Sequence, residues 1–383
     1  GYEIDPRESG ELDGYRIFQV PMEKLTKEAL EEFDLPGRAV LRSKNMIALG
    51  LISWTFNRDL KDTENWINEK FKNLPEVAKA NIKALKTGYN FGITVEAFHH
   101  TYKVDKASLP AGEYTNINGN IGLSWGLIAG AKKASLELFY GSYPITPASD
   151  ILHELSKHKN FNVLTFQAED EIAAAAAAVG ASFTGKLAVT GTSGPGLALK
   201  SETISLALSA ELPLVVVNVQ RGGPSTGMPT RTQQSDILCS AYASHGDTKH
   251  ILLIPSDPKE CFDFAVEAFD LADRLQTPVI VLLDLDLGMN DWSTKEFEWD
   301  DNNQYDRGKV LSKEDLDGIE KFGRYLDVDG DGIPYRTYPG THPEKGAYFT
   351  RGTSHDEYAG YTEDGVKNAE MLTRLVKKFQ TAS

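Results

Sequence analysis

Between residues 117 and 292, six apolar segments of strand length alternate with helical stretches: Leu136–Tyr140, Val163–Phe166, Lys186–Thr190, Leu214–Val219, Ile251–Ile254 and Val279–Leu283. Strands that are apolar on both faces and joined through helices belong to a parallel sheet covered on both sides. Right-handed crossovers then give a doubly wound α/β fold with its functional loops at the carboxyl ends of the strands. The last crossover shows the pattern plainly: Asp257, Pro258 and Glu260 form an N-cap, N1 and N3 set. Phe262, Val266 and Phe269 follow at the spacing of a buried helical face.

The flanks differ. Residues 1–95 read as helical, with Trp66, Ile67 and Phe71 at helical spacing, then a helix opened by Asn73, Leu74 and Pro75 and closed by Gly88 as C-cap. With no complete βαβ unit, this segment is expected to be the remainder of a second α/β domain. Residues 96–112, with His99 and His100 and the run Ser108–Gly112, are expected to form a linker to the layered domain at 113–292. Residues 293–383 are acidic and punctuated by Gly and Pro; they predict an irregular excursion with no clear strand and a terminal helix over Val366–Phe379. The chain opens at Gly1 without Met or a leader, so a trimmed or processed piece is expected.

Composition excludes several classes. A net charge of −15 over 383 residues, with no basic cluster, argues against nucleic acid as partner. The two cysteines, Cys239 and Cys261, cannot form a disulfide framework or hold an iron–sulfur cluster alone, and they suggest a reducing, cytoplasmic setting. No apolar run approaches the roughly 20 residues of a membrane helix.

Several motifs fall at predicted strand ends. Thr146 and Pro147, in Tyr143–Pro147, are placed as N-cap and N1 of the next helix, a seat for a carboxylate or phosphate or simply a cap. Gln167–Glu171 ends a strand and opens an alanine-rich helix. Its acidic residues satisfy the helix dipole, or one carboxyl faces a buried pocket and exchanges protons. Gly191–Gly196 (GTSGPG) is a strand-to-helix turn lacking both the dinucleotide and P-loop orders, so phosphate-facing and purely structural readings stay open. Arg221, at a strand end before two glycines, is placed to grip a carboxylate.

Asp327, Asp329, Asp331 and Gly332 match the start of a calcium loop, although Tyr338 stands where the distal acidic ligand belongs; a calcium or magnesium site and a solvated turn both stay open. The Ser354–Glu357 run, with His355, favours a structural role over metal binding.

Taken together, YPITP, QAEDE, GTSGPG and the Gln220–Asp236 run resemble the alpha subunit of 2-oxoacid:ferredoxin oxidoreductases. Residues 327–341 and the SHDE run resemble the 2-oxoglutarate-type branch, and Lys44–Gly50 is similar to the end of the gamma domain fused ahead of alpha in that branch. The family's glycine-rich opening and a further terminal domain are absent, so a piece truncated at both ends is expected. The resemblance implies thiamine diphosphate shared with a thiamine-binding beta subunit, this chain supplying the pyrimidine side. Magnesium and iron–sulfur clusters would sit on partners. It implies that Glu169 hydrogen-bonds the aminopyrimidine and that Thr146 and Arg221 meet the substrate carboxylate. The implied reaction converts a 2-oxoacid, preferentially 2-oxoglutarate, and coenzyme A to acyl-CoA, carbon dioxide and reduced ferredoxin, in a homo-oligomer of heterodimers. Arg231 offers a partner for a second carboxylate. A pyruvate-specific enzyme and a non-catalytic scaffold are the alternatives. A stand-alone thiamine enzyme would need a GDG-to-Asn motif: Gly330–Gly332 supplies GDG without a preceding strand or the later Asn.

Overall fold

The structure is a computed structural model that describes residues 4–95, 101–298, 300, 302, 307–348 and 350–382. His99 and His100 lie outside the described residues. The chain divides into two compact units, Gly1–Pro110 and Ala111–Ser383.

The described elements of the first unit are helical: α1 (Met22–Ala29), α2 (Gly37–Arg42), α3 (Lys44–Thr55), α4 (Lys61–Lys70) and α5 (Pro75–Val95). Its core forms around Ile67, Ala78 and Leu85. Gly88 does not close a helix as the sequence suggested; α5 runs through it. The reason is packing: a Cβ on Gly88 would stand 2.0 Å from the carbonyl oxygen of Ile47, and one on Gly50 2.0 Å from that of Leu85. The glycines let the α3 and α5 backbones touch.

The second unit runs β1 (Thr115–Ile117), α6 (Gly119–Ala134), β2 (Leu138–Ser142), α7 (Ser149–Leu155), β3 (Val163–Gln167), α8 (Glu171–Phe183), β4 (Leu187–Thr192) and α9 (Gly194–Ser209). It continues with β5 (Leu214–Gln220), α10 (Ile237–Ala241), β6 (Ile251–Leu253), α11 (Pro258–Leu275), β7 (Pro278–Asp284), α12 (Leu285–Met289), β8 (Trp292–Thr294), α13 (Lys313–Asp317) and α14 (Gly365–Thr381). Strands β2 to β7 make one parallel sheet in the order β3-β2-β4-β5-β7-β6, as the alternation of segments predicts. The strands alternate their apolar side chains between two cores. Val215, Val217, Val279 and Val281 pack with α6, α7 and α11, while Leu214, Val216, Ile280 and Leu282 pack with α8 and α9. The alanines of α8 bring it onto the sheet: a Cβ on Gly141 of β2 would lie 2.6 Å from the carbonyl oxygen of Ala174. Asp257 caps α11 as read from the sequence, accepting from the Glu260 amide at 2.8 Å, and the Glu260 carboxylate accepts from the Ser256 amide at 2.8 Å.

Where no strand was expected beyond residue 292, β8 pairs antiparallel with β1. Three residues are too few to show a period. The segment after it is held by buried ion pairs. Asp273 accepts from Arg307 Nε at 2.9 Å and Arg336 Nη2 at 3.1 Å. Glu211, wholly buried, takes Lys378 Nζ of α14 at 2.8 Å and Arg374 Nη1 at 3.0 Å. Burial alone would raise the Glu211 carboxyl, but the two cations hold it down at about 2.

Candidate active site

The sheet order places a crevice. From β2 the chain goes outward to β3 and then returns across β2 to β4, so the loops after β2 and β4 leave to opposite sides. The loop after β2 carries Thr146, the turn after β4 carries Ser193 and Gly194, and the loop after β5 begins with Arg221.

Thr146 is not the N-cap of its helix. Helix α7 begins at Ser149 with Ala148 at the cap position, and no side chain caps it. The backbone supplies the acceptor instead: the Ile145 carbonyl accepts from the Ala148 amide at 2.8 Å and the Ser149 amide at 3.0 Å. The Thr146 carbonyl accepts from Arg221 Nη1 at 2.7 Å, while its side chain stays exposed. Arg221 is buried, donates from Nη2 to the Thr226 carbonyl at 2.9 Å, and leaves Nε without a partner. Two of its five N–H groups therefore fix the loops, and three remain for a ligand.

The loop after β5 is internally braced. The Met228 amide donates to the Gly222 carbonyl at 2.7 Å, the Gly222 amide to Arg231 at 2.9 Å, and the Gly223 amide to Gln233 Oε1 at 2.9 Å. Asp236 accepts from Asn218 Nδ2 at 3.1 Å, and its amide donates to Gln220 Oε1 at 3.0 Å. A cleft of about 420 Å³ is lined by Gly194, Pro195, Arg221, Gly222, Gln233 and Asp236, among others. Arg231 is exposed on this loop and turns its Nη1 to the Thr230 carbonyl at 3.0 Å.

The acidic run divides its work. Asp170 caps α8, accepting from the Ala173 amide at 2.7 Å. Glu169 is exposed, whereas Glu171 is only 8% exposed. Glu169, which the resemblance sets against the aminopyrimidine, is thus open to solvent after the end of β3 in this chain, and Glu171 packs inward. Strand β3 stops at Gln167 and Asp170 takes the cap, so the first helical residue turns inward.

The glycines of the GTSGPG turn make room for oxygen atoms of this chain. A Cβ on Gly191 would lie 1.9 Å from the Tyr140 hydroxyl, and one on Gly194 2.8 Å from Asp236 Oδ2. At Gly196 it would lie 2.0 Å from Thr192 Oγ1 and 3.2 Å from Glu171 Oε1. Two carboxylates thus already face the start of α9, where the helix dipole would favour an anion. A phosphate there would meet like charge. The turn is built for close packing.

Nearly two turns into α9, Lys200 is fully buried and donates from Nζ to Thr190 Oγ1 at 2.7 Å and to the Gly191 carbonyl at 3.0 Å. Burial pushes its ammonium down to about 7 against the pull of Glu171. The sequence reading passed over it. The available signal was a lysine within the stripe Leu197, Lys200, Ile204, Ala207, which is otherwise apolar.

The remaining candidates are structural. At Asp327–Asp331 a cation site is replaced by a lysine: Lys309 Nζ lies 2.6 Å from Asp329 and 2.9 Å from Asp331 and donates to the Ile333 carbonyl. Asp327 is taken up by the amides of Gly330 at 2.9 Å and Gly332 at 3.0 Å. Among the described residues no group of three or more His, Cys, Asp or Glu side chains is arranged to hold a metal ion. The metal site expected at Asp327, Asp329 and Asp331 is thereby corrected to a lysine-bridged turn. His355 is buried against Tyr325, ring centroids 4.0 Å apart, with Nδ1 2.9 Å from the Thr353 carbonyl, and burial lowers its pKa. No described helix is long and apolar enough to cross a membrane.

Comparison with known proteins bears on the same region. The family model "pyruvate flavodoxin/ferredoxin oxidoreductase, thiamine diP-bdg" matches residues 129–371, and that of "pyruvate ferredoxin/flavodoxin oxidoreductase" matches residues 3–91. The 2-oxoglutarate oxidoreductase subunit KorA of Mycobacterium tuberculosis is 52% identical over 284 residues, 74% of this chain and 44% of that protein. Subunit alpha of 2-oxoacid:ferredoxin oxidoreductase 2 of Aeropyrum pernix is 32% identical over 96% of this chain and 57% of its own length. The solved 2-oxoglutarate:ferredoxin oxidoreductase from Magnetococcus marinus, with 2-oxoglutarate, coenzyme A and succinyl-CoA bound, superposes with a TM-score of 0.79 at 32% identity. That match covers 100% of this chain and 62% of the other. The chain thus spans about half the length of the curated relatives it matches. By the extent of these matches and the motifs they cover, this chain belongs to the pyruvate ferredoxin/flavodoxin oxidoreductase family.

Proposed function

We propose that this chain is the pyrimidine-side part of an alpha subunit in a thiamine-diphosphate-dependent 2-oxoacid:ferredoxin oxidoreductase, acting with a beta subunit in the cytoplasm. The observation that carries this reading is the cleft beside the ends of β4 and β5, lined by Gly194, Asp236 and the buried, partly unpaired guanidinium of Arg221, in a member of this family. The reaction takes a 2-oxoacid and coenzyme A to acyl-CoA, carbon dioxide and reduced ferredoxin.

The residues present fit one half of the cofactor. Glu169, exposed just past the end of β3, would hydrogen-bond the aminopyrimidine ring from this side, where the beta subunit would cover it. The diphosphate end does not fit, because Asp236 and Glu171 already face the start of α9; diphosphate and magnesium would belong to the beta subunit. Bound thiamine diphosphate supplies an electron sink for the pair left as carbon dioxide departs. Arg221 binds the substrate carboxylate through its free N–H groups, and its hold on the Thr146 carbonyl keeps both loops in register with it. Thr146 lines the same anion site. Exposed Tyr143, Phe166, Ile172 and Met228 follow or end strands on this side and suit a protein partner that would exclude water.

Two cysteines leave the iron–sulfur clusters to partners. The names of the relatives favour 2-oxoglutarate over pyruvate, and Arg231, exposed on the loop after β5, would meet its second carboxylate. The test is viologen reduction by the full-length subunit assembled with its beta partner. Reduction that needs coenzyme A and prefers 2-oxoglutarate supports the reading; an assembled complex inert with every 2-oxoacid tried sinks it.

A further inference from the structure

The loop after β5 folds back on the guanidinium that leads into it. Gly222 and Met228 form an antiparallel bridge, in which the Met228 amide donates to the Gly222 carbonyl at 2.7 Å. Residues 223–227 make the turn between them. The carbonyl of Thr226, near the end of that turn, accepts from Arg221 Nη2 at 2.9 Å. Arg221 thus closes a ring with its own loop, while Nη1 holds the Thr146 carbonyl at 2.7 Å.

The ring needs a particular backbone. Ser225 and Gly227 both have left-handed φ, +57° and +48°, a conformation that glycine adopts freely and serine only against its own Cβ. At Gly227 space decides as well: a Cβ would lie 1.9 Å from the Gly222 carbonyl oxygen and 2.9 Å from the Gly223 Cα. Both neighbours are backbone, so no side chain can rotate out of the way. The Thr226 carbonyl belongs to the same planar peptide as the Gly227 amide. Displacing Gly227 therefore turns that plane and carries the carbonyl away from Nη2. The turn is exposed from Gly223 onward, so close packing in a core is not what calls for this glycine.

We propose that Gly227 is a positioning residue for Arg221: its left-handed backbone, bare of a side chain, aims the Thr226 carbonyl at Nη2, and that bond sets the guanidinium in the orientation in which it takes the substrate carboxylate. This rests on the role given to Arg221 above. No group is transferred; the effect is the alignment of a planar fork before the carboxylate arrives.

The test uses the full-length subunit assembled with its beta partner. Gly227→Ala should raise KM for the 2-oxoacid about 3- to 10-fold, with kcat and KM for coenzyme A within about twofold. Added to Arg221→Lys it should cost little further, because lysine has already lost the fork that Thr226 holds. Should Gly227→Ala fail to assemble, the turn can be probed at Ser225. Ser225→Val, a β-branched residue at positive φ, should raise the same KM, whereas Ser225→Gly, which suits that φ, should stay within about twofold. Wild-type KM in an assembled Gly227→Ala or Ser225→Val complex, a loss confined to kcat, or losses that multiply with Arg221→Lys would each overturn the proposal while leaving the reaction standing. Wild-type KM in Arg221→Lys would instead overturn the role of Arg221, and a wild-type complex without 2-oxoacid-dependent dye reduction the functional reading as a whole; either takes this role with it.

Discussion

Arg221 reaches from the end of β5 to the loop after β2 and donates from Nη1 to the carbonyl oxygen of Thr146 at 2.7 Å. The side chain proposed to bind the substrate carboxylate is thereby also the tie between the loops after β2 and β5. Lysine keeps the charge but loses the fork that serves both purposes. Arg221→Lys should raise KM for the 2-oxoacid about 10- to 100-fold, from loss of a charge-assisted hydrogen bond of about 1.5–3 kcal/mol. Steady-state kinetics on the assembled complex checks this.

Glu169, exposed at the end of β3, makes a direct prediction. Glu169→Gln should leave assembly intact and cost about 10² to 10⁴ in kcat, the range of a positioned acid–base group. Wild-type turnover, measured on complexes of equal cofactor content, would remove Glu169 from the mechanism.

Glu211 anchors α14 through Lys378 and Arg374. Its folded-state pKa of about 2 lies below its ordinary 4.5. Above 4.5 both folded and unfolded states carry the charge and the stabilisation is complete; as pH falls from 4.5 towards 2 the unfolded state binds the proton first, and stability is lost. Urea unfolding at a series of pH values should show that loss in the wild type, and Glu211→Gln should lower stability at neutral pH by about 3–5 kcal/mol and flatten the acid dependence.

The turn at Asp327–Asp331 is bridged by Lys309, so millimolar calcium or magnesium should leave its melting temperature unchanged. Lys309→Met should lower it. A calcium-dependent rise in the wild type would restore the metal reading.

In the first unit, Gly88→Ala should destabilise by about 1–3 kcal/mol, because the added methyl has only the Ile47 carbonyl to move against. Thermal melts of the full chain read this directly.

The sheet was legible because its strands are apolar on both faces: Val215, Val216 and Val217 can only be buried between two helical layers. The cap of α11 was equally plain, since Asp257, Pro258 and Glu260 act within four residues of each other. Local signals misled where a tertiary contact overrode them. Gly88 has the chemistry of a helix end, but the approach of Ile47 uses it for packing. Thr146 and Pro147 have the chemistry of a helix start, but the Ile145 carbonyl already serves the first amides. Which of Glu169, Asp170 and Glu171 turns inward was not legible, because it depends on where β3 stops. Lys200 was missed altogether, as its partners Thr190 and Gly191 meet it only in the folded chain. The calcium-like spacing at Asp327 gave no hint that Lys309 would occupy the place of the cation.

The most direct test of the assignment is viologen reduction by the full-length subunit assembled with its thiamine-binding partner, given coenzyme A and 2-oxoglutarate or pyruvate. The structure and the family predict reduction that requires both subunits, coenzyme A and a 2-oxoacid, with 2-oxoglutarate preferred. An assembled, cofactor-loaded complex that reduces nothing with any 2-oxoacid would contradict the assignment and leave the fold as a scaffold.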